Sequence, residues 1–292
     1  MILASWSDTN FYVVSEDFNY TILGEVVLDD VIDPVILQHA VSKAIRRFPY
    51  FSIRLIVKND EFITLPNMRP YQVVHSKGPL TLGSEEVNFH LSVVSYYDKS
   101  VYFHFSHCIT DGIGRMPFTK TVLYYYLTEK TGIPLDAGDI YLSDSDIFPD
   151  EVGEPVSLRE ISKAQPTYFR TIGDAFKISE KHVISDHRRR EYRFSVDESA
   201  FIALCKSFGA SPNTLVSASL ARLLWEMYPD ISKNIVGNLC VNMRPALNNK
   251  HSHLLLLGNI PLHFSPEMKD IPPDELFQIT KKSVREQTDR KS

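Results

Sequence analysis

The sequence predicts a mixed α/β protein in two lobes, with mixed sheets flanked by helices. Three observations predict it. Strand-like and helix-like stretches alternate through residues 20–132 and start again near residue 190. Between the two series lies an acidic stretch with Pro, Gly and Ser, residues 134–165, of the composition that marks a linker or crossing loop. The chain has 292 residues, and at roughly 150 residues per domain that length suits two units. The expected division is 1–165 for the N-terminal lobe and 166–292 for the C-terminal lobe.

The elements follow from local pattern. "FNYTILGEVVLDD" reads as a strand running into acidic turn residues. In "DPVILQHAVSKAIRRF", Asp33 suits an N-cap and Pro34 the first helical position. Leu37, Ala40, Val41, Ala44, Ile45 and Phe48 then recur at helical spacing, so one face is buried, and Pro49 stops the helix. "YFSIRLIVKNDEFITLPN" predicts a hairpin turning at Lys58, Asn59 and Asp60. "VNFHLSVVSYYDKSVYFHFSH" predicts a second, turning at Asp98, Lys99 and Ser100. Side chains alternate along a strand, so Val101, Phe103, Phe105 and His107 share one face and Tyr102, His104 and Ser106 the other. After Gly114, "MPFTKTVLYYYLTEKTG" reads as a helix.

The second series opens with "REYRFSV" as a strand. Next comes the helix "DESAFIALCKSFG", for which Ser195 and Glu198 offer a capping box. "SPNTLVSASLARLLWEMYP" is a further helix, "NIVGNLCVNMRPAL" and "LLLLGNIPLHF" are apolar strands, and "PPDELFQITKKSVREQTDR" closes as a helix.

Composition excludes several classes. With 43% hydrophobic and 23% charged residues the chain has the material for a core and is not of disordered type. A net charge of −5 is unlike the dominant basic face that nucleic-acid binding needs. Cys108, Cys205 and Cys240 are widely spaced and odd in number, which speaks against a disulfide framework or a zinc site and for a reducing compartment. The N-terminus lacks a basic start followed by a long apolar run, and no apolar run is long enough to span a bilayer. The expected location is the cytoplasm, without stable membrane insertion.

The chemistry concentrates in "SHCITDG", residues 106–112. A strand on an apolar stripe ends in His107, Asp111 follows four residues on, and Gly112 comes next. An imidazole titrates near about 6.5, so a neutral one serves as general base near neutral pH. Gly112 would supply backbone geometry closed to other residues. Residue pattern alone leaves other readings open. A histidine in an apolar stripe is commonly a core residue with a satisfied ring. A His and an Asp four apart on a helix could hold a metal, although the strand ending at His107 and the glycine argue against a helix there.

The same residues resemble the HxxxDG signature of the coenzyme A-dependent acyltransferase superfamily. This superfamily includes chloramphenicol acetyltransferases, peptide-synthetase condensation domains, wax ester synthases and alcohol acetyltransferases. Its motif likewise follows a hairpin strand and precedes a helix. "LQHAVSKAIRRFPYFSIRL" is similar to the family's early helix and its continuation, while "NTLVSASLARLLWEMYP", "VNMRPAL" and "GNI" are similar to parts of its second lobe. The likeness is greatest to the alcohol acetyltransferase-like branch.

The resemblance implies a two-lobed chloramphenicol-acetyltransferase-like fold, with a second lobe shorter than the family's, since family members are usually about half as long again. It implies His107 as the catalytic base, Asp111 as a structural aspartate paired with an arginine, and Gly112 as the motif glycine. Ser106 stands where condensation domains and wax synthases carry a first histidine, and Ser52 where condensation domains often carry the arginine. Arg54, two residues on, is the candidate partner of Asp111. The implied reaction moves an acyl group, acetyl in the first instance, from a coenzyme A thioester to a small-molecule alcohol or amine. Acyl-coenzyme A is then a co-substrate, and no metal or permanently bound cofactor is implied. The alternatives are a condensation-like domain served by a carrier protein, which a chain opening at Met1 mildly disfavours, and a non-catalytic binding or scaffold member of the fold.

Arg244, in "NMRP", is a candidate contact for substrate or coenzyme A. "HRRREYR", residues 187–193, places four arginines where phosphates would suit them, but reads first as a solvated strand start. "HSH", residues 251–253, reads as loop surface. Cys108 should point away from His107 and serve packing.

Overall fold

A computed structural model of the chain describes residues 20–153, 175–178 and 194–288. These residues cluster into two compact units. One holds residues 20–153 and Leu247–Leu256, the other residues 175–178, 194–246 and 257–288.

The first unit is built on a four-stranded sheet and two helices. β1 (Thr21–Val27), β4 (Val74–His75), β5 (Ser92–Tyr97) and β6 (Ser100–Ser106) stand in the order β1-β6-β5-β4. β6 is antiparallel to both neighbours, with Thr21 opposite Ser106 and Tyr97 opposite Ser100, and β4 joins β5 in parallel. A separate hairpin, β2 (Ile53–Lys58) with β3 (Glu61–Pro66), turns on Asn59 and Asp60, both at positive φ. Two such residues make the mirror-image turn that matches the twist of paired strands.

Helix α1 (Pro34–Arg47) starts as its sequence dictates. Asp33 Oδ1 accepts from the N–H groups of Val35 and Ile36 at 2.9 and 3.2 Å. Helix α2 (Met116–Thr131) ends on Gly132 at φ 67°, a left-handed cap that glycine adopts without strain. Leu37, Ala40, Val41 and Ala44 of α1, Phe118, Val122 and Tyr126 of α2, and Val101, Phe103 and Phe105 of β6 form one core with Phe48 and Phe51. The alternation expected along β6 holds for the face turned to this core.

The acidic stretch after α2 is packed rather than free over its described part. Thr121 Oγ1 donates to the Tyr141 carbonyl at 2.9 Å, and the Tyr125 hydroxyl donates to Ser143 Oγ at 3.1 Å. Near the end of its described part lies a one-turn helix, α3 (Pro149–Val152), that carries the fully buried Glu151.

The second unit contains α4 (Glu198–Ser207), α5 (Pro212–Met227), α6 (Pro273–Thr288) and the antiparallel pair β7 (Ile235–Asn242) and β8 (Leu257–Phe264). Leu215, Ala218, Ala221 and Trp225 of α5 pack with Ile235, Ile260, Leu262, Phe264, Leu276 and Phe277. Two local expectations are corrected here. The cap of α4 is Asp197, whose Oδ1 accepts from Ala200 N–H at 2.8 Å, not Ser195. Of the strand expected at 190–196, residues 190–193 lie outside the described residues; residues 194–196 form no strand, and Phe194 is 89% exposed. An apolar-polar alternation makes a strand only when a neighbouring strand takes up its N–H and C=O groups. No helix among the described residues is long and apolar enough to cross a membrane.

Candidate active site

The loop from His107 to Arg115 joins β6 to α2. β6 hands it over in a fixed position, because Ser106 N–H donates to the Leu91 carbonyl at 2.8 Å and His107 N–H to the Tyr20 carbonyl at 2.7 Å. The His107 ring stacks on Tyr20, with centroids 4.8 Å apart and planes 19° from parallel. The ring is half-buried.

Nδ1 of His107 lies 3.1 Å from the main-chain carbonyl oxygen of Thr110. A carbonyl only accepts, so Nδ1 carries the proton and donates. The neutral ring then keeps its lone pair on Nε2, which has no partner among the described residues. That is the tautomer and the free acceptor a general base requires.

Asp111 is fully buried and faces main-chain donors. Its Oδ1 accepts from Ile113 N–H at 3.0 Å and Gly114 N–H at 2.8 Å, and its Oδ2 from Leu256 N–H at 2.9 Å. The first two bonds shape the turn into α2, and the third ties that turn to a segment 145 residues further along. The carboxylate is a brace whose acceptor sites point into protein.

Gly112 does not play the steric part expected of it. It is exposed, its φ is not positive, and a Cβ there would meet nothing within 4 Å. The glycine that the loop requires is Gly114. A Cβ at that position would stand 2.4 Å from the His253 carbonyl oxygen and 2.5 Å from Thr110 Oγ1.

Arg54 is not brought to Asp111, and no ion pair joins them. It lies on β2 opposite Leu65, in a hairpin separate from the sheet that carries the motif. Its Nε is buried without a partner. Arg244 belongs to the second unit, where it is buried, and its Nη1 donates to Asn242 Oδ1 at 3.3 Å. Ser106 is buried, and its Oγ accepts from Cys108 N–H at 3.4 Å. Cys108 sits in the core of the first unit. The arginines of 187–193 lie outside the described residues. Among the described residues, no group of three or more His, Cys, Asp or Glu is placed to hold a metal ion.

His253 is not surface loop. It is 2% exposed and packs in the first unit beside the motif. Its carbonyl accepts from Thr110 Oγ1 at 2.7 Å, and its N–H donates to the Glu151 carbonyl at 2.8 Å. Glu151 is held by Arg47 in a bidentate pair, 2.8 and 2.6 Å, with both side chains fully buried. The Tyr50 hydroxyl lies 2.6 Å from His253 Nδ1 and 3.4 Å from Glu151 Oε2. Burial, followed by the neighbouring carboxylate, raises Tyr50 far above the usual phenol range, so the hydroxyl stays protonated.

One signal for this cluster was present in the sequence. Arg47 falls at the helical spacing of the buried residues 37, 40, 41 and 44, so a cation was due inside the apolar face and needed a partner. Thr110 contributes through its main chain, for which sequence carries no signal.

No protein-family model matches the chain, and no curated protein matches it in sequence. Solved structures do match in three dimensions. The epimerization domain from the third module of tyrocidine synthetase B superposes with a TM-score of 0.67 at 12% identity, covering 98% of this chain and 71% of that one. Polyketide synthase associated protein 5 from Mycobacterium tuberculosis gives 0.64 at 16% identity, over 91% and 68%. The starter condensation domain of rhizomide synthetase, in complex with C8-CoA, gives 0.61 at 13%, over 97% and 71%. The fold is that of the condensation domains. This is the mixed α/β architecture expected from the sequence. The chain spans about two thirds of the length of these neighbours.

Proposed function

We propose that the chain carries the acyl-transfer site of a condensation-like domain. His107 is its general base, and the acyl donor is a thioester of coenzyme A or of a carrier protein. The observation that carries this reading is the bond from His107 Nδ1 to the Thr110 carbonyl, which leaves Nε2 free to accept a proton. Nε2 takes the proton of an alcohol or amine as the oxygen or nitrogen attacks the thioester carbonyl. The carbonyl electrons move onto oxygen, then return and expel the thiolate, which recovers the proton from the imidazolium. The new bond is an ester or amide, the broken bond is C–S, and the products are the acylated acceptor and a free thiol.

The condensation-domain fold supports acyl transfer. The C8-CoA held by the rhizomide synthetase domain favours a donor of coenzyme A chemistry. Asp111 braces the loop that presents His107.

The test is thiol release from acetyl-coenzyme A and longer acyl-coenzymes A, and from an acylated carrier protein, against a panel of alcohols and amines. Wild type and His107→Ala are run side by side. The expected result is acceptor-dependent release that falls about a hundredfold or more in the variant. The donor that works separates the coenzyme A source from the carrier source. Release that persists unchanged in His107→Ala removes the base from the mechanism. No release with any donor favours a binding or scaffold role instead.

A further inference from the structure

We infer that Thr110 is a positioning residue for His107, and that it acts because its hydroxyl is anchored to the distant segment Leu247–Leu256. The inference rests on reading His107 as the base.

The imidazole is oriented by a main-chain carbonyl, not by a carboxylate. A carbonyl is only as well placed as its peptide plane, and the peptide after Thr110 sits in a loop with no strand or helix to fix it. Side chains on either side of that plane do the fixing. Thr110 Oγ1 donates to the His253 carbonyl at 2.7 Å. Asp111 Oδ2 accepts from Leu256 N–H at 2.9 Å. Both anchors end on the same four-residue stretch, so the carbonyl that sets the tautomer is registered against a segment over 140 residues away in sequence.

That segment is itself held. His253 N–H donates to the Glu151 carbonyl at 2.8 Å, and Glu151 is clamped by the buried guanidinium of Arg47. Gly114, with no room for a Cβ against the His253 carbonyl, closes the loop over the same oxygen. A continuous path of bonds therefore runs from Arg47 through Glu151, His253 and Thr110 to His107. Thr110 is fully buried, so water does not replace its hydroxyl bond if that bond is lost. Valine has the same shape without the donor, and serine keeps the donor.

The test reads the His107 tautomer directly, by nitrogen-15 NMR of the imidazoles at a pH where they are neutral. His107→Gln assigns the signals. Wild type should show a protonated Nδ1 and a bare Nε2. Thr110→Val should show both tautomers in exchange, and Thr110→Ser the wild-type pattern. In the thiol-release assay, Thr110→Val should lower kcat by about ten- to a hundredfold with little change in KM, and Thr110→Ser should restore it. A wild-type His107 protonated on Nε2 overturns the inference without recourse to a variant, as does a Thr110→Val protein that keeps the wild-type tautomer. The NMR result stands whether or not thiol release is found, so failure of the acyl-transfer reading and failure of the positioning inference are separate outcomes.

Discussion

The carboxylate of Asp111 accepts a hydrogen bond from the main-chain N–H of Leu256 at 2.9 Å, and both groups are buried. With the bonds from Ile113 and Gly114, three main-chain donors depend on one side chain. Asp111→Ala would leave all three without that acceptor. Each orphaned buried donor costs about 1–3 kcal/mol, so a loss of about 3–5 kcal/mol is expected once the loop relaxes. Asp111→Asn would turn an amide N–H₂ toward one of these N–H groups, a donor facing a donor, and should cost about 2 kcal/mol. Urea unfolding of the two variants checks the order. An Asn variant as stable as wild type would mean that the Leu256 bond contributes nothing.

The two glycines of the loop should separate cleanly. Gly114→Ala drives a methyl group against the His253 carbonyl and Thr110 Oγ1, backbone on one side and a buried hydroxyl on the other. Neither can retreat without breaking the Thr110–His253 bond, and overpacking of this kind costs about 1–3 kcal/mol or more. Gly112→Ala meets open space at an ordinary φ. It should be neutral, or stabilise by up to about 1 kcal/mol through the unfolded chain. Thermal melting of both variants decides it. Equal losses would mean that Gly112 has a steric role in the folded loop after all.

These positions show what a sequence reveals and what it leaves out. α1 was legible because every signal for it is local: Asp33 caps, Pro34 starts, apolar residues recur and Pro49 follows. The two hairpins were legible because Asn59–Asp60 and Asp98–Lys99 are turn residues between alternating runs. The strand expected at 190–196 is not formed over its described residues, 194–196, because alternation says nothing about whether an edge is available to pair with. Arg54 and Asp111 are not brought together, because such long-range pairings are set by which sheet a strand joins, and β2 joins β3 alone. His107 and Asp111 could be picked out by residue type and spacing. Thr110 and Gly114 could not, because one acts through a carbonyl and the other through a missing methyl. The His253 segment packs beside the motif through contacts that follow only from the folded chain.

The Arg47–Glu151 pair should be worth more as a pair than either member alone. Both side chains have no exposure, and the guanidinium lies over Tyr141 at 4.6 Å from the ring centroid. Glu151→Gln keeps the shape but leaves a buried cation without its counter-charge, at an expected cost of about 3–5 kcal/mol. Arg47→Met alone strands the carboxylate and should cost about as much. The double variant Arg47→Met with Glu151→Gln removes both charges and should lose far less than the sum. Denaturant midpoints of the four proteins give the coupling directly. Additive losses would show that the two charges are stabilised by other groups and not by each other.

The stability of the first unit should fall in mild acid because of His104. This side chain has no exposure, and its Nε2 meets Ser95 Oγ at 2.9 Å while its Nδ1 has no partner. Burial lowers its pKa to about 4. His90, also buried, is lowered for the same first reason. An imidazole that resists protonation when folded binds fewer protons than the same ring unfolded, which titrates near about 6.5. The stabilisation is therefore complete above that value and is lost as pH falls through the window toward 4, by about 3 kcal/mol for His104 alone. Urea midpoints measured above and inside the window should show the loss, and His104→Gln should flatten the slope between them. A slope unchanged in His104→Gln would place the acid sensitivity elsewhere, with His90 the next group to replace.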